Sequence, residues 1–532
     1  METEEKRVDV VIMGAGFAGS LMAMIATRLG KSVLLLEKGQ HPRFAIGEST
    51  TPLTNLLLEE IAKIYDLEFL TDLATWGRWQ RSFPQLAVGL KRGFSFFHHQ
   101  EGMPFQRSAD RRNELLVAAN PCDELADTHW FRADFDQFLV DQAVGLGVNY
   151  YERATVVALN ELEDEITVKV QRDGQLQPIR ATLLIDATGP RGALSKLLDL
   201  GEQSLPGMPT TRSLFGHFEG VRWCGELDEF VLRDPAPYPI DDAAVHHVFS
   251  AGWLWELHFN QGVTSAGIVA REDWEGWTSG GEDADWESCL RHLPTLKHQF
   301  AGSTLLGPMR SIARLPYFVD RIASRRWVQL PSAVASIDPL FSTGFPLSLL
   351  GVLRLGCVLR DAGLNGDFRP GLTAYTQTTV TEVERVGRLI GLAYRFMNRP
   401  RVFNLVTYLY FAVVSFEEVS RRLGRGCVDQ SFLSGGEPWV LSGLEQAMSS
   451  LEEFDRETTR GAEAIDRLET NICSLLEPFN VIGIGRRDRG NWYPVDIGDL
   501  FDNRAKLGAS VAEIRAMLEA SGIPVSRLSA WN

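Results

Sequence analysis

The hydrophobic pattern at the start of the chain predicts a strand, a tight turn, a helix and a second strand. The apolar run VDVVIM precedes the turn GAGFAG, then SLMAMIATRLG with helical spacing, then SVLLLE ending in Glu37. Gly14, Gly16 and Gly19 permit the turn and a close approach of backbone to a pyrophosphate, while the helix N-terminus supplies N–H donors. A carboxylate about 20 residues further on can bind a ribose. This unit predicts dinucleotide binding and leaves FAD and NAD open.

Two later stretches have patterns that fit beside such a unit. LLIDATGP (183–190) is an apolar strand running into Asp186 and a Thr-Gly turn, a loop able to face a cofactor at the carboxyl end of a parallel sheet. FRADFDQFL (131–139) carries Arg132. From about 371 the pattern becomes helical, through the stretches 373–397, 442–476 and 509–521.

Composition narrows the class of protein. A chain of 532 residues with 45% hydrophobic and 23% charged residues is expected to fold nearly throughout, with more than one layer or subdomain. Its net charge of −16 argues against nucleic acid and anionic membrane surfaces as partners. The basic patch at Arg486, Arg487 and Arg489 is interpreted as a solvated turn. Six dispersed cysteines without a CxxC motif predict no metal site and a reducing, cytoplasmic setting.

The hydropathy pattern predicts neither an export signal nor a membrane-spanning segment. The charged first seven residues lead directly into a strand, unlike a secretory signal. The apolar segment Phe403–Ser415 is shorter than the about 20 residues a membrane span needs, so it is expected to be a buried helix or a pocket wall. GIGRRDRG (483–490) lacks a following apolar helix and is interpreted as a turn. The sequence thus contains no second nucleotide-binding unit for a nicotinamide.

Taken together, GAGFAG, Glu37, HPRFAIGEST (41–50), Arg132 and DATGP resemble the flavin-dependent group that contains the aromatic hydroxylases and the halogenases. The resemblance implies a Rossmann-like α/β FAD-binding domain, a mixed β-sheet substrate region and a helical C-terminal extension. It implies that the 41–50 loop lies along the FAD. The residues it assigns to FAD are Gly14, Gly16, Ala18, Gly19, Glu37, Lys38, Arg43, Glu48, Ser49, Arg132, Asp186, Asp338 and Gly344.

Three finer matches resemble the halogenases, with the pyrrole-chlorinating type nearest. GLKRGFSFFHHQEG carries Lys91 where halogenases keep their catalytic lysine, GWLWELHF resembles their WxWxIP stretch, and SIDPLFSTGFP resembles their loop at the flavin and halide. His258 stands where that motif has proline, and Phe341 where tryptophan halogenases keep a glutamate. The implied halide site is Thr343 and Gly344, and the implied tunnel or pocket is Trp253, Trp255, His98, His258, Pro339 and Phe341.

Halogenation by reduced FAD needs oxygen, a halide and a route for hypohalous acid to the substrate. The turn at Ser342, Thr343 and Gly344 can offer backbone N–H groups to an anion, and it can equally be an ordinary helix start. Lys91 can polarise hypohalous acid as an ammonium or be halogenated as a neutral amine, because burial allows either form. The resemblance implies an electron-rich aromatic substrate, free or tethered to a carrier, chloride or bromide, and a separate flavin reductase.

Two other functions remain open at this point. The first is an FAD monooxygenase or dehydrogenase acting on an aromatic substrate, and the second is a flavin-binding protein without catalysis. The joint presence of Lys91, the two tryptophans and the Ser-Thr-Gly turn speaks against the second, since mere flavin retention needs none of them. The expected layout is an FAD-binding domain over 1–80, 125–200 and 305–370, a β-sheet substrate region over 81–124 and 201–304, and C-terminal helices over 371–532.

Overall fold

Two large β-sheets, two small two-stranded sheets and a group of C-terminal helices make up the fold. The structure is a computed structural model that describes residues 6–231, 234–362, 367–428, 430–434, 436–457 and 461–523. The strands are β1 Lys6–Met13, β2 Val33–Leu36, β3 Val88–Lys91, β4 Gly93–His98, β5 Glu114–Ala118, β6 Asp127–Trp130, β7 Asn149–Tyr151, β8 Ala154–Glu161, β9 Ile166–Arg172, β10 Gln175–Asp186, β11 Thr211–Glu219, β12 Ala244–Phe249, β13 Gly252–His258, β14 Val263–Arg271, β15 Thr304–Leu305, β16 Arg310–Ile312, β17 Tyr317–Phe318, β18 Trp327–Gln329, β19 Ala335–Ser336 and β20 Trp492–Tyr493.

The helices alternate with the strands in the first half and dominate the last third. Helix α12 (Pro400–Arg422) is long and apolar enough to cross a membrane, but 83% of its apolar window is buried inside the protein, as a core helix would be. The helices are α1 Phe17–Arg28, α2 Pro52–Tyr65, α3 Phe69–Asp72, α4 Trp76–Ser82, α5 Arg132–Gly145, α6 Ala193–Leu197, α7 Glu282–His292, α8 Pro294–Gln299, α9 Pro331–Val334, α10 Gly344–Ala362, α11 Arg369–Arg395, α12 Pro400–Arg422, α13 Pro438–Arg456, α14 Ala462–Leu476, α15 Ile497–Asp502 and α16 Val511–Ala520.

The first sheet has seven strands in the order β7-β2-β1-β10-β9-β8, with β18 also on β10. Strands β2, β1, β10 and β18 run parallel, so the carboxyl ends of β1, β2 and β10 meet at one edge. Helix α1 packs on this sheet and is covered in turn by α5 and α10. The predicted strand, turn, helix and strand are confirmed, and with them the Rossmann-like fold class.

The second sheet has nine strands and is mostly antiparallel, in the order β15-β11-β14-β13-β12-β4-β5-β20 with β16 on β11. Its central strand β13 is the predicted strand containing Trp253 and Trp255, whose rings lie 5.8 Å apart. Gly267 on β14 makes room for the indole of Trp255, because an added Cβ would lie 2.4 Å from that ring. The sheet therefore presents a bulky aromatic face.

The C-terminal region differs from its prediction in two ways. The stretch 442–476 is divided between α13 and α14, and Gly461 is the N-cap of the second helix. The short strand β20 was not predicted; it extends the second sheet by pairing Trp492 with Leu116 and Tyr493 with Val117. The predicted turn at 483–490 contains only a short 3-10 turn, and its arginines pair with carboxylates.

Candidate active site

The glycine turn between β1 and α1 is shaped by its contacts with the end of β10. An added Cβ on Gly14 would lie 2.5 Å from the carbonyl oxygen of Ala187, and one on Gly19 would lie 1.9 Å from the carbonyl oxygen of Gly14. Gly16 differs, because its added Cβ would face the guanidinium groups of Arg132 at 3.5 Å and Arg43 at 3.6 Å. Glycine is therefore needed at 14 and 19 for the turn itself, whereas Gly16 borders a groove lined by two cations.

The groove has the donors that the pyrophosphate of a dinucleotide requires. The backbone N–H groups of Gly16, Phe17 and Ala18 donate to no acceptor among the described residues, and they lie at the positive end of the α1 dipole. At the end of β2, Glu37 accepts hydrogen bonds from the Ala15 N–H at 3.2 Å and the Gly39 N–H at 2.9 Å. Orphaned helix donors next to cations, with a carboxylate at the neighbouring strand end, fit FAD.

The 41–50 loop carries charge from this groove towards the second sheet. The guanidinium of Arg43 lies 3.2 Å from the Glu37 carboxylate and 3.6 Å from that of Asp136, and these two ion pairs hold it at the groove. Arg132 forms a two-pronged ion pair with Asp136 and donates to the carbonyl oxygens of Ile46 and Gly47. The two guanidinium groups thereby fix the loop against α5 and the glycine turn.

Other residues predicted to bind FAD serve the surrounding loops. Asp186 is buried and accepts from the N–H groups of Thr188 and Leu194, so its carboxylate shapes its own loop. Glu48 is buried and lies 2.9 Å from Nε2 of His217. Ala18 is buried in α1, and Lys38 is exposed beside Glu37. The structure thus brings Gly16, Glu37, Arg43 and Arg132 together, and it does not aim the Asp186 carboxylate at them.

Lys91 is completely buried and is held by the far end of the same loop. Its Nζ donates to Ser49 Oγ at 2.8 Å and to the Thr50 carbonyl oxygen at 2.5 Å, and it lies 3.8 Å from the centre of the Phe94 ring. Both hydrogen-bond partners follow directly on the segment that contacts Arg132. A single ten-residue loop therefore links the predicted cofactor groove with the predicted catalytic lysine.

A buried carboxylate faces this lysine from the next strand. Asp127 pairs with Lys91 in the antiparallel ladder of β3 and β6, and its Oδ1 accepts from Asn55 Nδ2 at 2.7 Å. Burial lowers the pKa of Lys91, and the charge of Asp127 acts against that shift. Burial raises the pKa of Asp127, opposed by the charge of Lys91. The ionisation states of Lys91 and Asp127 are therefore coupled.

A continuous layer of rings runs from Lys91 across the second sheet. This aromatic layer consists of Phe94, Phe96, His246, Trp253 and Phe341. Ring centres lie 6.3 Å apart for Phe94 and Phe96, 4.4 Å for Phe96 and His246, and 5.1 Å for His246 and Trp253. Phe341 meets Phe96 edge-on at 6.4 Å. Burial lowers the pKa of His246 to about 3, so its imidazole is neutral at physiological pH.

The aromatic layer ends at the turn before α10. Asp338 is buried there and accepts from Trp253 Nε1 at 3.0 Å, Tyr394 Oη at 2.6 Å and the Leu340 N–H at 2.9 Å. Burial raises its pKa to about 6, although these hydrogen bonds lower it. All three bonds hold protein groups, so the Asp338 carboxylate fixes the turn rather than facing the glycine groove. Pro339, next to it, is exposed.

The turn at 342–344 leaves backbone donors available. Ser342 has φ of +54°, in the left-handed region, and its N–H donates to the Pro339 carbonyl oxygen. The N–H groups of Thr343 and Gly344 donate to no acceptor within the described ranges. Phe345, in the first turn of α10, packs 4.9 Å from Phe17 of the glycine turn. The predicted halide turn and the predicted FAD groove are therefore neighbours.

The two histidines predicted at the pocket lie in different surroundings. His98 is buried against Phe403 at 4.8 Å, and burial lowers its pKa to about 3, although the Met397 backbone and the Asn404 side chain act against that shift. His258 stacks on Trp223 at 5.0 Å and bonds Thr264. Trp255 donates to Ser265 beside Trp253. His98 lies at the helical side of the pocket, whereas His258 lies at the end of β13 near exposed Trp223.

Several residues at the site have no local signal in the sequence. Asp127 depends on the register of two strands far apart in the chain, and Tyr394 reaches Asp338 from α11. Thr50 contributes only its carbonyl oxygen, for which no residue type is required. Asp127 begins a strand of only four residues, 127–130, and so short a strand does not indicate in the sequence which strand it will pair with.

Several known proteins are similar to this chain in sequence. The family profile described as FAD dependent oxidoreductase matches residues 9–298, more than half of the chain. Monodechloroaminopyrrolnitrin halogenase PrnC of Pseudomonas fluorescens is 26% identical over 382 residues, covering 71% of this chain and 65% of that protein. Tetracycline 7-halogenase of Kitasatospora aureofaciens is 29% identical over 388 residues, covering 70% and 67%. The match therefore spans only about two thirds of these relatives.

A solved structure extends the likeness to nearly the whole fold. The crystal structure of halogenase PltM in complex with phloroglucinol and FAD has a TM-score of 0.82 to this chain at 23% identity. The superposition covers 91% of this chain and 99% of that one. The two proteins therefore share a fold over most of this chain.

Proposed function

This chain belongs to the FAD-dependent oxidoreductase family and resembles its flavin-dependent halogenases, and from that premise we propose that it halogenates an electron-rich aromatic small molecule. In the proposed reaction FADH2, O2, a halide ion and a proton yield FAD, water and hypohalous acid. Hypohalous acid then replaces a ring hydrogen of the substrate by halogen and releases a second water. The substrate class is a pyrrole, indole or phenol.

The position of Lys91 is the observation that carries the proposal. Its Nζ is completely buried, lies against the aromatic layer and is fixed by Ser49 and Thr50 of the 41–50 loop. An ammonium is a strong hydrogen-bond donor, and away from water its interaction with hypohalous acid is strengthened. Burial and Asp127 together keep both the ammonium and the amine accessible near neutral pH. Either form of the lysine can therefore direct the halogen.

The rest of the site supports the same chemistry. Bound reduced FAD would supply the electrons that convert oxygen and halide into hypohalous acid. Gly16, Glu37, Arg43 and Arg132 would hold the cofactor, and the free N–H groups of Thr343 and Gly344 would hold the halide. The aromatic layer between this turn and Lys91 is buried and its imidazole, His246, is neutral, so the layer would exclude water from the path of a reactive acid.

The reductant and the cellular setting belong to the same proposal. A separate flavin reductase would supply FADH2, since the sequence contains one strand-turn-helix nucleotide unit. The reaction would take place in the cytoplasm, on an acceptor that is free or carried on a protein. Neutral His98 would line the pocket on the helical side.

The test is incubation of the purified, FAD-loaded protein with a flavin reductase, oxygen and a panel of pyrroles, indoles and phenols, with and without bromide or chloride. Mass spectrometry should detect halide-dependent addition of one halogen in place of hydrogen. A hydroxylated product formed equally well without halide would instead identify a monooxygenase. Peroxide alone, with every acceptor unchanged, would contradict the proposal.

A further inference from the structure

A second cluster of reactive side chains lies on the opposite face of the nine-stranded sheet. Because side chains alternate along a strand, His246 enters the aromatic layer while the next residue, His247, faces away from it. There His247 meets Cys224, from the 3-10 turn Cys224–Glu226, and Glu256 of β13. All three side chains are buried, and their ligand atoms lie within 4.8 Å of one another. We infer that this cluster binds one zinc-type divalent cation.

The distances suit a tetrahedral ion. Nε2 of His247 lies 3.9 Å from Cys224 Sγ and 3.2 Å from Glu256 Oε1. Tetrahedral zinc with Zn–S of about 2.3 Å and Zn–N or Zn–O of about 2.0–2.1 Å separates neighbouring ligand atoms by roughly 3.3–3.6 Å. Thiolate, imidazole and carboxylate are the ligands that zinc uses in proteins. The two distances from His247 are thus close to the spacing in a metal site, and Cys224 and Glu256 offer ligand atoms within 4.8 Å of each other, with a fourth position left for water.

The arrangement differs from a nucleophilic Cys-His-acid triad. In such a triad the acid binds the ring nitrogen that faces away from the nucleophile. Here the thiol and the Glu256 carboxylate approach the same nitrogen, Nε2 of His247. The other nitrogen, Nδ1, lies 2.9 Å from Nε2 of His99. If a cation lies between the three side chains, Cys224 Sγ, Glu256 Oε1 and His247 Nε2 are all expected to point towards it and therefore to lie close together.

Glu256 provides a second and independent observation. Its Oε1 is completely buried and aims at the cluster, yet it has no hydrogen-bond partner among the described residues, because its contact with His247 lacks hydrogen-bond alignment. Within the same residues no lysine or arginine pairs with this carboxylate. An uncompensated buried charge is strongly disfavoured. A divalent cation would balance the carboxylate and a Cys224 thiolate together.

Groups around the cluster orient its members as outer partners of a metal site do. Gln299 at the end of α8 donates through Nε2 to Glu256 Oε2 at 2.7 Å and to Cys224 Sγ at 3.4 Å. Asp241 accepts from the N–H groups of Cys224 and Gly225, which fixes the 3-10 turn. Such partners set the direction of each ligand and commonly change metal affinity by about 10–100-fold.

The proposed ion is separate from halogenation. It would tie β12 and β13 to the 3-10 turn and α8 behind the aromatic layer, without touching that layer. The sequence predicted no metal because Cys224 and His247 are 23 positions apart and form no recognised spacing motif. Adjacent strands and one turn bring the three residues together.

The experiment loads the full-length, FAD-bound protein with cobalt after dialysis against a chelator. One Co2+ per chain should bind and give a thiolate-to-cobalt charge-transfer band, which Zn2+ should displace. Cys224→Ser should abolish that band, and Gln299→Ala should weaken metal binding by about 10–100-fold. Cys289→Ser is the matched control, since Cys289 is an equally buried free thiol in a different core cluster.

Two outcomes would overturn the inference: no stoichiometric cobalt in the folded wild type, or an unchanged band in Cys224→Ser. Retained FAD absorbance reports whether each variant has folded. If Cys224→Ser fails to fold, the wild type alone still decides the matter. Its Tm should then rise on adding equimolar Zn2+ after chelator treatment, and an unchanged Tm would contradict the site.

Discussion

Lys91 and Asp127 face each other across the two-stranded ladder of β3 and β6, and both are completely removed from solvent. Neither residue is stabilised in its charged form by water, so each depends on the other for its ionisation state. The 41–50 loop holds the lysine from the opposite side through Ser49 and Thr50. Substitution of either residue is therefore expected to change the ionisation state of the other.

Lys91→Met is expected to separate halogenation from flavin chemistry. The methionine fills the buried space but cannot donate to hypohalous acid, and Asp127 can take up a proton in its place. Halogenated product should fall by about 10²–10³-fold, as for loss of a positioned donor. FAD affinity and oxygen consumption with reduced flavin should persist. Wild-type product formation by this variant would exclude Lys91 from the reaction.

Asp127→Asn is expected to change the pH profile more than the fold. The asparagine keeps an oxygen for Asn55, but it removes the negative charge that raises the pKa of Lys91. The pKa of Lys91 should then fall further. An activity that requires the ammonium should therefore begin to decline at a lower pH than it does in the wild type. Product formation should be measured across pH 6–9, with exposed Asp123→Asn as the control. An unmoved alkaline limb would contradict the coupling.

Gly16→Val is expected to weaken FAD binding without unfolding the protein. The nearest protein atoms to an added Cβ lie 3.5–3.7 Å away, so the protein itself has room for one, but the groove for the pyrophosphate does not. The Kd for FAD should rise at least about tenfold, or 1.4 kcal/mol. Gly145→Ala, at a helix end with open space around it, should leave FAD affinity unchanged. Equal affinity in both variants would refute the assigned groove.

The bound flavin is expected to resist direct reduction by nicotinamide nucleotides. NADH or NADPH alone should leave the FAD absorbance unchanged under anaerobic conditions, and addition of a flavin reductase with free FAD should restore turnover. Rapid bleaching by either nucleotide alone would favour a monooxygenase that reduces its own flavin.

Tyr394→Phe is expected to destabilise the protein more at high pH than at low pH. Burial raises the pKa of Asp338 to about 6, and the Tyr394 hydroxyl opposes that shift by donating to the carboxylate. A raised pKa means that stability is lost as pH rises through about 4–6, where the unfolded carboxyl ionises first. Removing the hydroxyl raises the pKa further and should cost about 1–3 kcal/mol at pH 8.

The same substitution should cost less at pH 5, where the carboxyl is mostly protonated. Urea unfolding at both pH values measures the difference. Tyr375→Phe is the control, because Tyr375 donates to the neutral carbonyl oxygen of Gln329. Its cost should not depend on pH in this way, and equal pH dependence in both variants would contradict the role given to Asp338.

Local patterns predicted the parts of the molecule that local physics determines. The glycine turn, α1, β2 and the WxW strand follow from periodicity and turn chemistry, and each was confirmed in the structure. Asp127, Tyr394 and the Cys224 cluster could not be predicted, because strand register and helix docking bring them to their partners. Asp186 and Asp338 were assigned to the cofactor from motif position, whereas the structure shows both carboxylates occupied by hydrogen bonds from the protein.

Strand β20 determines how this protein can be divided for engineering. Although it comes from the helical C-terminal region, it completes one edge of the second sheet, and Trp492 Nε1 donates to buried Glu114 of β5. A fragment that stops before β20 would leave β5 as an unprotected sheet edge, which promotes aggregation. A graft that replaces the C-terminal helices with those of another enzyme must therefore include a matching edge strand.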